Sequence, residues 1–218
     1  MASRPKQAHP RPAPRLYLIT PPIADAARFA DELAAALAAG ADVAAVLLRL
    51  AEADERALIN GVKLLAPPAQ DQGTALLIDG HADLVARSGA DGAHLAGIET
   101  FLAALERLKP DRIAGAGALS SRHDAMTAAD SGADYVMFGE PEAGGRPAFA
   151  AIEDRVAWWA EVFELPCVGY AADLEEITPL IMAGADFIAL DCVWSDPRGA
   201  VAALGDAASR LRLPETIP

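Results

Sequence analysis

The chain has 218 residues, is 53% hydrophobic and carries a formal net charge of −13. Its length suits one domain of up to about 250 residues with a sizeable core. Its acidity argues against nucleic-acid binding, which calls for basic faces, and no stretch of about 20 apolar residues lacks a charge, which argues against a membrane-spanning helix.

Residues 1–15 contain Arg4, Lys6, Arg11 and Arg15, several prolines and no acid. No apolar stretch follows the charges as a secretory signal requires. The segment reads as a disordered basic tail with polyproline II character, ahead of one domain over residues 16–213, and the expected location is the cytoplasm. The first strand covers 16–20 and stops at Pro21-Pro22; a helix with Phe29, Leu33 and Leu37 on one face covers 24–39. Strand 2 covers 43–50, with Arg49 its one charge. Helix 2 covers 54–66 and is expected to break at Pro67-Pro68, leaving 69–73 as a polar loop. Strand 3 (74–79), helix 3 (81–88), strand 4 (92–95), helix 4 (99–109), strand 5 (112–118), helix 5 (122–131) and strand 6 (135–138) follow. Residues 139–147 form a Gly/Pro loop, then helix 6 covers 149–163 and strand 7 covers 166–170. Helix 7 (174–183) has Pro179 in its middle, which should kink or shorten it. Strand 8 covers 187–192 and the last helix 197–213. Cys167 and Cys192 lie in apolar runs and read as buried free thiols.

Gly-Ala-Asp occurs four times, at Gly40, Gly89, Gly132 and Gly184, with spacings of 49, 43 and 52 residues. Each copy follows a helical segment and precedes a short apolar run. Glycine supplies the left-handed residue that ends a helix, and the apolar run reads as a buried parallel strand. Such spacings accommodate two strand–helix units each. Four double units make a single-domain α/β protein, a (β/α)8 TIM barrel. The repeats then lie at the strand entries, the face associated with stability, and chemistry belongs at the opposite strand ends.

With the strands placed, the sequence resembles the thiamine phosphate synthase family and its thiazole tautomerase relatives over nearly all of residues 15–210. The resemblance rests on Leu16-Tyr-Leu-Ile-Thr20, on Leu76-Leu-Ile-Asp79 followed by Ala82-Asp-Leu84, on Gly89-Ala-Asp-Gly-Ala-His-Leu95, on Gly132-Ala-Asp-Tyr-Val-Met-Phe-Gly139 and on Gly184-Ala-Asp186. It implies a Mg2+-dependent transferase that joins hydroxymethylpyrimidine pyrophosphate to a thiazole phosphate. It also implies a small phosphorylated substrate as partner; a homodimer is the expectation for a small barrel of this kind.

The resemblance further implies which positions hold ligands, and many are substituted. Where the family has Gln-Leu-Arg-Glu-Lys after strand 2, this chain has Leu47-Leu-Arg-Leu-Ala51, keeping Arg49 for pyrophosphate. The family's Mg2+-binding Asp after strand 3 falls on Gly80, with Asp79 one position early, and Glu99 takes the place of a second metal ligand. The Ser-x-His after strand 5 becomes Ala118 and Ser120; a small shift brings Ser120 or Ser121 into play, with His123 out of register. Arg146 stands in for the lysine of the loop after strand 6, and Ala171-Ala172 replace the phosphate-accepting Gly-Gly after strand 7. Cys192 replaces a small hydroxyl residue at strand 8. Arg49, Arg146 and Ser120 are thus the catalytic candidates, His94, Tyr170, Ala171, Ala172 and Cys192 the substrate-binding ones, and Asp79 and Glu99 the metal ligands. Arg49, a lone charge in an apolar strand, needs either an anion or an ion-pair partner such as Asp79. His94 reads as a core histidine or a catalytic one. Asp191 would repel a phosphate at the end of strand 8. The alternatives to the synthase reaction are an inactive binding or regulatory relative and an enzyme acting on another small phosphorylated substrate.

Overall fold

The computed structural model describes residues 12–142 and 144–212; most of the expected basic tail, residues 1–11, lies outside them. Eight parallel strands close into a barrel in sequence order. They are β1 (Arg15–Ile19), β2 (Val43–Leu48), β3 (Ala75–Asp79), β4 (Gly92–Ala96), β5 (Ile113–Gly117), β6 (Tyr135–Phe138), β7 (Cys167–Ala171) and β8 (Phe187–Leu190). The helices are α1 (Ala26–Leu37), α2 (Glu55–Gln70), α3 (Val85–Ser88), α4 (Ile98–Leu108), α5 (Arg122–Ser131), α6 (Phe149–Val162), α7 (Ile177–Ala183) and α8 (Ala200–Leu211). The (β/α)8 expectation is therefore met.

Side chains alternate across each strand. One set, including Leu18, Val46, Leu76 and Ile188, packs outward against the helices. The other, including Tyr17, Leu47, Leu77, Tyr135, Met137 and Tyr170, fills the barrel interior. Neither cysteine is in a disulfide; Cys167 is buried and Cys192 is partly so. Trp159 is fully buried under α6, while Trp158 is partly exposed and lies under the Arg122 guanidinium.

Two helices differ from expectation. α2 runs straight through Pro67 and Pro68 to Gln70. The prolines leave the carbonyls of Lys63 and Leu64 without helical donors, but both of those residues are exposed to water. Val62, Leu65, Ala66 and Ala69 stay buried on the other face, so packing holds the last turn. The segment before α3 is a turn and leaves that helix only four residues. Pro179 acts as expected: it sits in the first turn of α7, where its missing N–H has no helical partner, and the preceding residues Leu174–Glu176 form a 3-10 turn.

The Gly-Ala-Asp repeat acquires a physical role. Gly89, Gly132 and Gly184 have φ of 84, 105 and 97° and end α3, α5 and α7 in the left-handed conformation. Three of the aspartates then clasp the preceding strand from both sides. The Asp91 N–H donates to Leu76 O at 2.8 Å, and its carboxylate accepts from Leu76 N at 2.7 Å. Asp134 does the same with Ala114 (2.9 and 2.7 Å), and Asp186 with Cys167 (3.0 and 2.8 Å). Asp42 differs: its carboxylate meets the exposed Arg15 side chain at 2.7 Å.

Removing a clasp leaves a buried strand N–H unpaired, which costs about 1–3 kcal/mol. Asp91→Ala should therefore lower stability to urea by that amount, whereas Asp42→Ala, which loses an exposed ion pair, should cost about 1 kcal/mol or less. Equal urea midpoints for the two variants would show that the clasp contributes nothing.

Candidate active site

The inward-facing register carries polar residues to the C-terminal mouth. Continuing the interior series by two residues from Leu47, Leu77 and Ala189 arrives at Arg49, Asp79 and Asp191. Asp79 pairs in register with His94 of β4. The buried Thr20 hydroxyl accepts from Arg49 N–H at 3.0 Å and fixes the backbone there. A cleft of about 550 Å3 opens at this end, lined by Arg49, Asp79, His94, Ala118, Met137 and Glu140 among others. Ala118 has φ of 46°, a strained conformation for a residue with a side chain, and it sits on the cleft wall.

Beneath the cleft runs a chain of buried polar contacts. Glu140 Oε1 lies 3.3 Å from His94 Nε2, His94 Nδ1 lies 3.0 Å from the Tyr135 hydroxyl, and that hydroxyl lies 2.7 Å from the Tyr17 hydroxyl. Burial alone would lower the His94 pKa, but the Glu140 carboxylate, helped by Asp79, more than offsets this and raises it above 6.5. Both tyrosine hydroxyls are pushed upward, chiefly by burial, and stay protonated. Glycines on β5 make the room: a Cβ on Gly115 would strike the Tyr135 ring, and one on Gly117 would strike Glu140 and His94. Glu140 Oε2 is buried and has no hydrogen-bond partner among the described residues.

Each arginine at the mouth faces a carboxylate. Arg49 Nη1 lies 3.3 Å from Asp191 Oδ2, and Tyr170 donates its hydroxyl to Asp191 Oδ1 at 2.9 Å. The Tyr170 pKa is raised by burial and by that carboxylate. Arg146 is held from every side. It donates to Glu176 Oε1 at 2.9 Å and Oε2 at 2.6 Å, to Tyr170 O at 3.1 Å and to Gly139 O at 3.2 Å. Its guanidinium also lies 5.4 Å from the Tyr170 ring centre. Glu176 Oε2 further accepts from Ala172 N at 2.8 Å.

The thiamine monophosphate synthase family model matches residues 16–191. The chain belongs to that family. It is 44% identical over 198 residues to a thiamine-phosphate synthase of Rhodospirillum centenum, covering 88% of this chain and 95% of that one. A thiamine-phosphate synthase of Hyphomonas neptunium is 39% identical over 207 residues, covering 90% and 93%. Among solved structures, a thiamine phosphate pyrophosphorylase from Pyrococcus furiosus superposes with a TM-score of 0.74 over 90% of this chain and 95% of that one, at 22% identity, and so supports the fold.

Set against the ligand positions of this thiamine monophosphate synthase family, the chain divides into two groups. Arg49, Asp79 and His94 come together on the cleft wall. Tyr170 and Arg146 lie beside them around Asp191, whereas Ser120, Glu99, Ala171 and Cys192 are not among the residues that line the cleft. Ser120 is exposed, with its hydroxyl 2.9 Å from Asp124, and Ser121 caps α5. Glu99 is exposed in the first turn of α4. Ala171 is buried against the helices, and Cys192, its thiol pKa raised by burial and Asp191, begins the 3-10 turn after β8. Arg49 pairs with Asp191 rather than with Asp79. Sequence reasoning missed Glu140 and Glu176. Glu140 had a signal: it is the second residue beyond β6, opposite two alternate glycines of β5, the pattern of a strand that something bulky approaches closely. Glu176 had none, because its partners lie 4 and 30 residues away on other elements.

Among the described residues no three His, Cys, Asp or Glu side chains form a metal cage. Mg2+ does not require one, since one or two carboxylates with water and phosphate oxygens suffice. Asp79 lines the cleft and its carboxylate makes no hydrogen bond or ion pair with a described residue, so it fits that mode; Glu99 is not among the lining residues.

Because the folded His94 value is raised, the His94–Glu140 pair stabilises the protein fully below about pH 6.5, and the contribution is lost as pH rises through the raised value. An NMR titration should place His94 above 6.5 in the wild type, and Glu140→Gln should bring it down, because burial then acts with less opposition. A titration unchanged by Glu140→Gln would refute the coupling.

Proposed function

We propose that this protein couples hydroxymethylpyrimidine pyrophosphate with a thiazole phosphate at the mouth of the barrel, giving thiamine phosphate. The observation that carries the reading is the convergence of Arg49, Asp79 and His94 on one cleft, in a chain that belongs to the thiamine monophosphate synthase family. In this reaction the bond from the pyrimidine methylene carbon to pyrophosphate oxygen breaks, and its electron pair leaves with pyrophosphate. The thiazole nitrogen then supplies the pair for the new C–N bond.

Arg49 offers pyrophosphate the guanidinium N–H groups not engaged by Asp191, as charge-assisted donors. Asp191 and Thr20 hold that side chain and its backbone in place. His94, its pKa raised by Glu140, lines the cleft where the leaving group gathers electrons. Mg2+ at Asp79 would neutralise part of the pyrophosphate charge. The apolar lining, Ile19, Leu47 and Met137, limits water around a reactive pyrimidine cation.

A second reading, a relative that binds without turnover, is favoured by the pairing of Arg49 and Arg146 with the chain's own acids. One assay separates the two. Purified protein given the pyrimidine pyrophosphate, the thiazole phosphate and Mg2+ should release pyrophosphate and form thiamine phosphate. Arg49→Ala should reduce kcat about 100-fold, the effect of losing one preorganised donor to developing charge. Folded protein giving no product would leave the binding reading.

A further inference from the structure

The Glu140 carboxylate is engaged on one side only. Its Oε1 lies 3.3 Å from His94 Nε2, while its Oε2 is buried and has no hydrogen-bond partner among the described residues. The side chain is 12% exposed and lines the cleft. A carboxylate oxygen withdrawn from water without a donor is costly, and the local backbone is arranged to keep it there. Gly117 leaves room beneath the carboxylate, which a Cβ would strike. Gly139, with φ of 97°, turns the chain at the end of β6 so that Glu140 enters the mouth. A buried acceptor held in this way at a cleft wall awaits a donor from whatever fills the cleft.

The chemistry of the reactants selects that donor. Pyrophosphate and the thiazole phosphate are anions whose oxygens accept, and the thiazole nitrogen carries a lone pair and no hydrogen. The pyrimidine carries an exocyclic amine on the ring carbon next to the one that bears the reacting methylene, and an amine of this kind has two N–H donors. The order of the strand ends agrees. Arg49 follows β2 and Asp79 ends β3, where the pyrophosphate finds its cation and its metal ligand; His94 lies on β4, and Glu140 follows β6 on the other side of it. Leu47 and Met137 give the same cleft an apolar surface for the ring.

We propose that Glu140 Oε2 accepts a hydrogen bond from the exocyclic amine of the pyrimidine, and that Glu140 is thereby a catalytic residue of the coupling reaction. The inference rests on the reaction proposed above and assigns the group that recognises its first substrate. As the C–O bond breaks, the methylene carbon becomes cationic, and the amine nitrogen delivers electron density to it through the ring. That transfer makes the amine hydrogens more positive, so their bond to a carboxylate is stronger in the transition state than in the bound substrate. No proton changes place: the amine keeps both hydrogens, the C–O electron pair leaves with pyrophosphate, and the thiazole nitrogen supplies the pair for C–N. His94, on Oε1, holds the carboxylate in orientation.

Two pyrimidine pyrophosphates made unreactive by a CH2 group in place of the ester oxygen, one bearing the amine and one with hydrogen in its place, test this by calorimetry on the full-length protein with Mg2+. The wild type should bind the amine-bearing probe at least about tenfold more tightly, as loss of a hydrogen bond to a charged group warrants. In Glu140→Ala the two affinities should come within about twofold of each other. Should that variant fail to fold, Glu140→Gln, which keeps the shape and loses the charge, should reduce the ratio at least about threefold. In the coupling assay Glu140→Gln should lower kcat at least about tenfold with the natural substrate. Equal binding of the two probes by the wild type, a preference that survives substitution of Glu140, or an unchanged kcat overturns the inference and leaves the coupling reading standing. A Glu140-dependent preference without turnover supports the contact and removes the synthase reading. Binding of neither probe overturns both.

Discussion

Closing eight parallel strands on one another leaves each residue two directions, into the barrel or out toward the helices. That constraint governs everything at the mouth. Leu47, Leu77 and Ala189 point inward because the interior must be filled, and so Arg49, Asp79 and Asp191, two residues later, also point inward where the filling ends. No local preference would place an arginine and two acids there. The register is anchored at the far end, where Asp91, Asp134 and Asp186 each hold one strand by its N–H and its carbonyl. Displacing one strand by a single residue would turn its mouth residue out among the helices and its apolar residues into the wrong layer.

The mouth so formed is dominated by pairing. Arg49 meets Asp191, Arg146 meets Glu176, and His94 meets Glu140. Positive groups at this depth are expensive without partners, and in a chain with net charge −13 acids are plentiful. The three pairs are not equivalent. Arg49 is held by one nitrogen and faces the cleft. His94 is tied to a line of hydroxyls that ends at Tyr17. Arg146 is engaged on all sides and serves to lock the loop after β6 against β7. One of them remains available to a ligand, one is tuned by its neighbour, and one is spent on structure.

The strand–helix alternation was legible because it depends on local pattern: apolar runs, amphipathic helices and a glycine in the left-handed conformation after a helix. Family membership was legible for the same reason, since its motifs are contiguous. The site was legible only in part. Arg49 and Asp79 stood out as charges at the ends of apolar strands. Ser120 looked equally suitable, yet Asp124 draws it into the cap of α5. The prolines of α2 looked like a stop, yet burial of Val62, Leu65, Ala66 and Ala69 carries the helix past them.

By itself the sequence determined the barrel, the order of its elements, the family, and the residues whose types make chemistry feasible at the mouth. Those properties follow from periodicity and from motifs spanning a few residues. Only the tertiary structure decided which charges cancel. Arg49 and Asp191 are 142 residues apart, and Arg146 and Glu176 are 30 apart. Whether a given arginine awaits an anion or already has one depends on distances of a few ångströms between strand ends, and barrel closure alone sets those.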